Sequence, residues 1–205
     1  MSAVSTAAVL AALAIVSTAG LCAHAAGSVE DEAFQKQIFN RAIGKDRIHA
    51  CYRRVYDASH LASHPQQNTR TMTLLVTGSA EESGSPTYVL GLGMTFRKTG
   101  THFETYGDCG SIHGAGANAG PATTVHCAVD CDGGSIDVAL KNTQSVLVSI
   151  PEGARIWKAG ASSENDESQR FGTDDKLFRL DRTKLTDCLS LAGEDDDKVL
   201  LRKGQ

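Results

Sequence analysis

Proline, tryptophan, clustered positive charge and long apolar runs are all scarce in this chain of 205 residues, which has four prolines and one tryptophan. Lys and Arg never stand more than two in a row, and the formal net charge is −4, so no electrostatic footprint for nucleic acid is present. The longest apolar run, Ala7 to Val16, is far short of the roughly 20 residues a membrane-spanning helix needs. Three catalytic signatures are missing: a Gly-x-Ser-x-Gly elbow, a phosphate-cradling loop ahead of Lys-Ser/Thr, and a zinc-protease motif. With 41% hydrophobic and 21% charged residues the chain has a globular balance, and collagen-like or wholly disordered readings are excluded.

Charge is absent altogether from Met1 to Gly27, which carries no Lys, Arg, Asp or Glu. An apolar core over Ala7–Val16 followed by Ala23-His24-Ala25 reads as a secretory signal cleaved after Ala25. Its n-region lacks the usual basic residue, so an N-terminal anchor is the alternative; Leu21-Cys22 is a poor fit to a lipid-modified cysteine because Leu is bulky. The expectation is residues 1–25 removed, 26–205 as one domain, no membrane span after cleavage, and a periplasmic or secreted location. Without the signal, the six cysteines become five: Cys51, Cys109, Cys127, Cys131 and Cys188. In an oxidising compartment cysteines pair, so two bridges form and one thiol is left over.

Phe34, Ile38, Phe39 and Ile43 fall at helical spacing, which predicts an amphipathic helix over Asp31–Ile43 stopped by Gly44. Cys51–Tyr56 reads as extended, with Tyr52 and Tyr56 on one face. Asp57–Pro65 reads as a capped helical turn ended by proline. From Thr71 the period becomes two. Met72, Leu74 and Val76 alternate with threonines, and Tyr88, Leu90, Leu92, Met94 and Phe96 form the cleanest strand. Further short strands are expected at Thr101–Cys109, Thr123–Asp130, Ser135–Leu140, Gln144–Ile150, Arg155–Lys158, Lys176–Leu180 and Lys198–Arg202. All four prolines fall between strand candidates. Asp132-Gly133 is a hairpin turn signal, making Thr123–Ile150 a three-strand meander. The fold class is mainly β: an antiparallel barrel or sandwich of short strands with an N-terminal helix. Gly110–Gly120 is Gly/Ala-rich, and Gly160–Asp175 reads as a polar surface excursion.

Several groupings could carry chemistry. Cys127 faces with Val125 and Val129, so Cys109–Cys127 and Cys109–Cys131 are both plausible bridges, leaving Cys51 to pair with Cys188. A metal site from Cys109, Cys127 and Cys131 is the weaker reading, since Cys-x3-Cys lacks a second matching pair. His60 and His64, at i and i+4, share a helix face, a spacing that can bind a metal; no Glu follows His60, and Pro65 cuts the helix short. His102, His113 and His126 are dispersed, and His126 lies on the face opposite Cys127. Asp130–Gly133 lacks the closing acid of a calcium loop, and Glu194–Asp197 reads as a solvated turn. Gly91 and Gly93 leave one face of the best strand bare, for close packing, a bend or the floor of a cavity in a barrel.

The pattern Cys51-Tyr52, Asp57, His60-Leu61 and His64-Pro65, then Cys127 and Cys131-Asp132-Gly133-Gly134, then Leu177–Arg182 with Cys188, resembles small exported bacterial proteins that have no assigned activity. The resemblance implies export and carries no role to any residue. The functional expectation is a non-enzymatic binding or inhibitor-like module of the cell envelope, needing no cofactor, its partner an envelope protein or a small ligand. The alternatives are a hydrolase or metal-dependent enzyme using His60, His64 and the loop around His113, and a structural envelope protein.

Overall fold

The computed structural model describes residues 29–82, 84–110, 124–129, 132–161 and 165–204. The expected signal sequence, residues 111–120 of the Gly/Ala-rich stretch with His113, and Asp130-Cys131 lie outside the described residues.

The described residues form nine strands: β1 (Ile48–Val55), β2 (Thr69–Ala80), β3 (Pro86–Phe96), β4 (Thr99–Cys109), β5 (Thr124–Val129), β6 (Ser135–Asn142), β7 (Ser145–Ser149), β8 (Trp157–Lys158) and β9 (Leu177–Arg182). They run in the order β3-β2-β1-β9-β7-β6-β5-β4, and β3 also pairs with β4, which closes the sheet into a ring of eight antiparallel strands. The fold is therefore a barrel, not a sandwich, and its strands follow one another up and down. The short β8 stands outside the ring order. It pairs with Phe103 and Glu104 of β4 beyond the point where β5 stops, and so completes that edge.

Period two puts alternate residues inside. Met72, Leu74, Val76, Tyr88, Leu90, Leu92, Met94, Ile136, Val138, Val146, Val148, Phe178 and Leu180 are each at most 1% exposed and belong to one packed cluster. The interior is filled by side chains. Gly91 and Gly93 point the other way. A Cβ on Gly91 would stand 3.1 Å from the Tyr106 ring and 3.3 Å from Leu191, and one on Gly93 3.1 Å from Leu191. These glycines admit a covering segment against the outer wall; they are not the floor of an internal cavity.

That cover is the 3₁₀ segment Leu185–Leu191 followed by helix α3 (Asp195–Lys203); here α1 is Val29–Phe39 and α2 is Ala58–Ser63. Cys51, Leu75, Cys188, Leu191, Ala192 and Leu201 form a second cluster outside the barrel. The strand expected at Lys198–Arg202 is thus helical. The acids at 195–197 sit in its first turn, Arg202 and Lys203 in its last, and Gly204 closes it at φ 76°, all favourable to the helix dipole and cap. The run Glu194–Asp197 is a helix start rather than a free turn, and Asp197 is buried.

Both ends of the barrel are closed, each by a helix held through an arginine. At the lower end Phe34 and Ile38 of α1 are fully buried, and Phe34 meets Tyr88 edge-on at 5.5 Å. The helix stops at Phe39, because Asn40 takes φ 61°, so Ile43 and Gly44 lie past its end. Arg182 at the end of β9 donates to the carbonyls of Gln37 and Ile38 at 2.8 and 2.9 Å and stacks over Tyr52 at 4.9 Å. A cation on unpaired C-terminal carbonyls satisfies them and opposes the helix dipole. At the upper end Arg97 does the same for α2, donating to the carbonyls of Leu61, His64 and Gln67.

Candidate functional site

Cysteine pairing follows one of the two expected schemes. Cys51 bridges Cys188, with Cα atoms 6.0 Å apart, and Cys109 bridges Cys127, with Cα atoms 3.9 Å apart. The first lies on the outer wall and pins the covering segment to β1. The second faces inward: Cys127 is fully buried between Val125 and Val129. Gly110 donates its N–H to the His126 carbonyl at 3.0 Å, so Cys109 and Cys127 occupy the adjoining non-hydrogen-bonded pair, where facing residues come closest. The alternative partner, Cys131, lies outside the described residues.

His60 and His64 do share a face. Their rings stack at 4.2 Å, and Tyr56 stacks on His60 at 4.6 Å. Asp57 caps α2 by accepting the His60 N–H at 2.8 Å, and this bond holds its carboxyl below the usual carboxylate range. His60 Nε2 lies 3.0 Å from Gln67 Oε1, and His64 Nδ1 lies 2.9 Å from the His60 carbonyl. Among the described residues no carboxylate hydrogen-bonds either imidazole. Among the described residues no group of three or more His, Cys, Asp or Glu side chains could hold a metal.

Two further histidines pair with aspartates on opposite sides of the molecule. His49 Nε2 lies 3.1 Å from Asp197 Oδ1 beneath α3, with Arg47 also 3.1 Å from that carboxylate. The His49 side chain is wholly buried. His126 Nδ1 lies 2.6 Å from Asp137 on the open face of β5 and β6, exposed to solvent.

Among the described residues three clefts outside the barrel bear on function. One, of about 370 Å³, runs between the end of α1, His49 and the segment from Arg182 to Leu185, where Arg182 is already spent on carbonyls and on the Tyr52 hydroxyl. A second, about 240 Å³, gathers Asp132, Glu152 and Asp166 beside Arg155. Asp166 accepts the N–H and hydroxyl of Ser168, at 2.8 and 2.9 Å.

The third, at the upper end, is about 300 Å³ and is lined by Asn68, Phe96, Arg97, Lys98, Thr99 and Arg170. Its walls come from three distant segments. The β3–β4 hairpin supplies Phe96 to Thr99, the strand entry supplies Asn68, and the excursion before β9 supplies Arg170. That excursion is more than a surface loop. The buried carboxylate of Asp175 accepts the N–H groups of Asn68, Thr69 and Gly172, at 2.7 to 3.2 Å. A Cβ on Gly172 would stand 1.8 Å from the Gln66 carbonyl, so only glycine permits this approach. Phe171 meets Phe96 edge-on at 5.6 Å.

Arg170 bonds Glu167 through Nε and Nη2, both at 2.8 Å, and lies over the Phe103 ring at 4.6 Å. Asn68 Nδ2 donates to the Arg170 carbonyl at 3.0 Å. Sequence reasoning singled out none of these residues. Arg97-Lys98-Thr99-Gly100 falls between two strand candidates, and no spacing links it to Asn68 or Arg170.

Comparison with known proteins finds no matching family model, no matching curated protein and no matching solved structure.

Proposed function

We propose that the chain is an exported envelope protein, periplasmic or secreted, that works as a binding or inhibitor-like module without catalysis, engaging its partner through its outside. The observation carrying this reading is the filled interior: Leu90, Leu92, Val138 and Val148 occupy the space a ligand-carrying barrel keeps open. Recognition then falls to the surface, and the upper cleft offers the best fixed groups. Two disulfides suit an oxidising compartment, and the uncharged N-terminal stretch ending Ala23-His24-Ala25 suits export. The partner is an envelope protein or a small ligand.

The test is capture from envelope extract on immobilised mature protein, with excess free protein as competitor. A retained component displaced by competition supports the reading. No competed component, or chemical turnover of an envelope substrate by the purified protein, overturns it. Cell fractionation with N-terminal mass spectrometry checks export, the expected first residue being Ala26.

A further inference from the structure

Resting on the reading that the upper end binds a partner, we propose that the cleft between the β3–β4 hairpin and Arg170 is a site for an oxyanion, a carboxylate or phosphate ester, carried on an apolar body. Three cationic side chains line this one cleft, and two of them are fixed in place. Arg97 is tied by Nε and Nη2 to the carbonyls of Gln67, Leu61 and His64. Arg170 is tied by Nε and Nη2 to Glu167 and pressed on Phe103. In each case Nη1 makes no hydrogen bond among the described residues, which leaves donors on a guanidinium already immobilised. Groups held in this way lose little further freedom on binding, the general advantage of preorganisation.

Charge balance points the same way. Glu167 offsets Arg170, whereas Arg97 contacts only carbonyls, and Lys98 has no ion pair among the described residues. The cleft keeps uncompensated positive charge in a protein whose net charge is −4. Arginine forks suit planar or tetrahedral oxyanions, and the neighbouring lysine adds a point charge. Phe96, with Phe103 and Phe171 at 5.3 and 5.6 Å behind it, gives the lining an apolar part for the body that bears the anion.

The experiment titrates the full mature protein with benzoate, phenyl phosphate and inorganic phosphate by calorimetry at low ionic strength, with NMR shifts to locate binding. Saturable binding of benzoate or phenyl phosphate is expected, weakened about tenfold or more by Lys98→Glu and by Arg170→Met, and reduced by added salt. His126→Ala, on β5 beside the opposite end of β4, should leave it unchanged. Which of the two aryl probes binds tighter identifies the anion as carboxylate or phosphate. Absence of saturable binding by both aryl probes overturns the inference, as does binding indifferent to Lys98→Glu. Inorganic phosphate binding as tightly as phenyl phosphate overturns the apolar-body part. A captured envelope partner that survives Lys98→Glu while the small anions fail to bind sinks this site and leaves the binding-module reading standing.

Discussion

The two walls of the barrel obey the same pleat under different demands. On the wall of β5, β6, β7 and β9 one face meets solvent, and burial alternates along β5 from Val125 to Val129 and along β6 from Ile136 to Leu140. On the wall of β1, β2 and β3 the outer face is covered as well, so Ile48 to Tyr52 are buried without a break and so are Leu74 to Gly78. The covered wall therefore has two cores, one on each side of a single sheet, and it owes the second to a chain segment more than a hundred residues away. A disulfide and the buried carboxylate of Asp197, shared by Arg47 and His49, fasten this short cover.

Breaking the fastening on each wall should separate them most clearly. Cys51–Cys188 spans 137 residues and Cys109–Cys127 spans 18. The loop-entropy relation gives about 5 kcal/mol for the first and about 3 kcal/mol for the second. Cys51→Ala with Cys188→Ala should thus lower the denaturation midpoint further than Cys109→Ala with Cys127→Ala, and should expose the C-terminal segment to protease before global unfolding. Equal losses, with the segment still protected, would show that the cover holds without its bridge.

The two His–Asp pairs come next. Asp197→Asn takes the buried carboxylate from Arg47 and the buried His49 ring, and should cost roughly 2 kcal/mol, as loss of a charged hydrogen-bond partner does. Asp137→Asn removes an equally direct contact from the solvent-facing wall, where the expected loss is at most about 1 kcal/mol. Urea midpoints of the two variants measured side by side decide it, and similar losses would contradict the burial argument.

This contrast also explains which parts of the fold were readable from the amino acids. Alternation is legible where the outward residues are polar or small, so the meander from β5 to β7 can be placed with its Asp132-Gly133 turn, Asp132 at φ 57°, and so can β3, whose covered outer face carries Gly91 and Gly93. β1 has no such alternation: Ala50, Cys51 and Tyr52 are all buried, and the segment reads only as extended. Val199-Leu200-Leu201 is too short a run for its period to be decided, and the helix is specified by charges and Gly204 around it rather than by the run. For the cysteines, the inward face of Cys127 makes Cys109–Cys127 plausible, but the sequence alone leaves Cys109–Cys131 open beside it. The upper cleft left no trace, since Asn68, Arg97 and Arg170 meet only after the ring has closed and Asp175 has drawn the excursion inward.

Added volume is a milder probe of the same difference. Gly91→Val on the covered wall would drive side-chain atoms into Leu191 and Tyr106, where even a Cβ is tight at 3.1 to 3.3 Å. Overpacking of that kind costs roughly 1–3 kcal/mol. Ala139→Val, on the outer face of β6, meets no cover and should stay within about 0.5 kcal/mol. If thermal midpoints of the two variants coincide, Leu191 can move aside and the second core is looser than its burial implies.

Alkaline pH probes the interior that both walls share. Burial raises the Tyr52 hydroxyl to about 12, against smaller opposing effects from Arg182, while the unfolded value is near 10. A folded value above the unfolded one means that the neutral phenol is favoured in the barrel. Its contribution is complete below pH ~10 and is lost as pH rises through about 12, on the order of 2 kcal/mol for a group so deeply placed. Tyr52→Phe removes the titrating group but also the hydroxyl that donates to the Ile38 carbonyl at 3.0 Å, so it should weaken the protein at neutral pH and flatten the alkaline limb. Denaturation midpoints from pH 8 to 12 would separate the two effects. A parent and a Tyr52→Phe protein whose alkaline limbs run parallel would assign the limb to Tyr56 and Tyr106, which burial also raises to about 12.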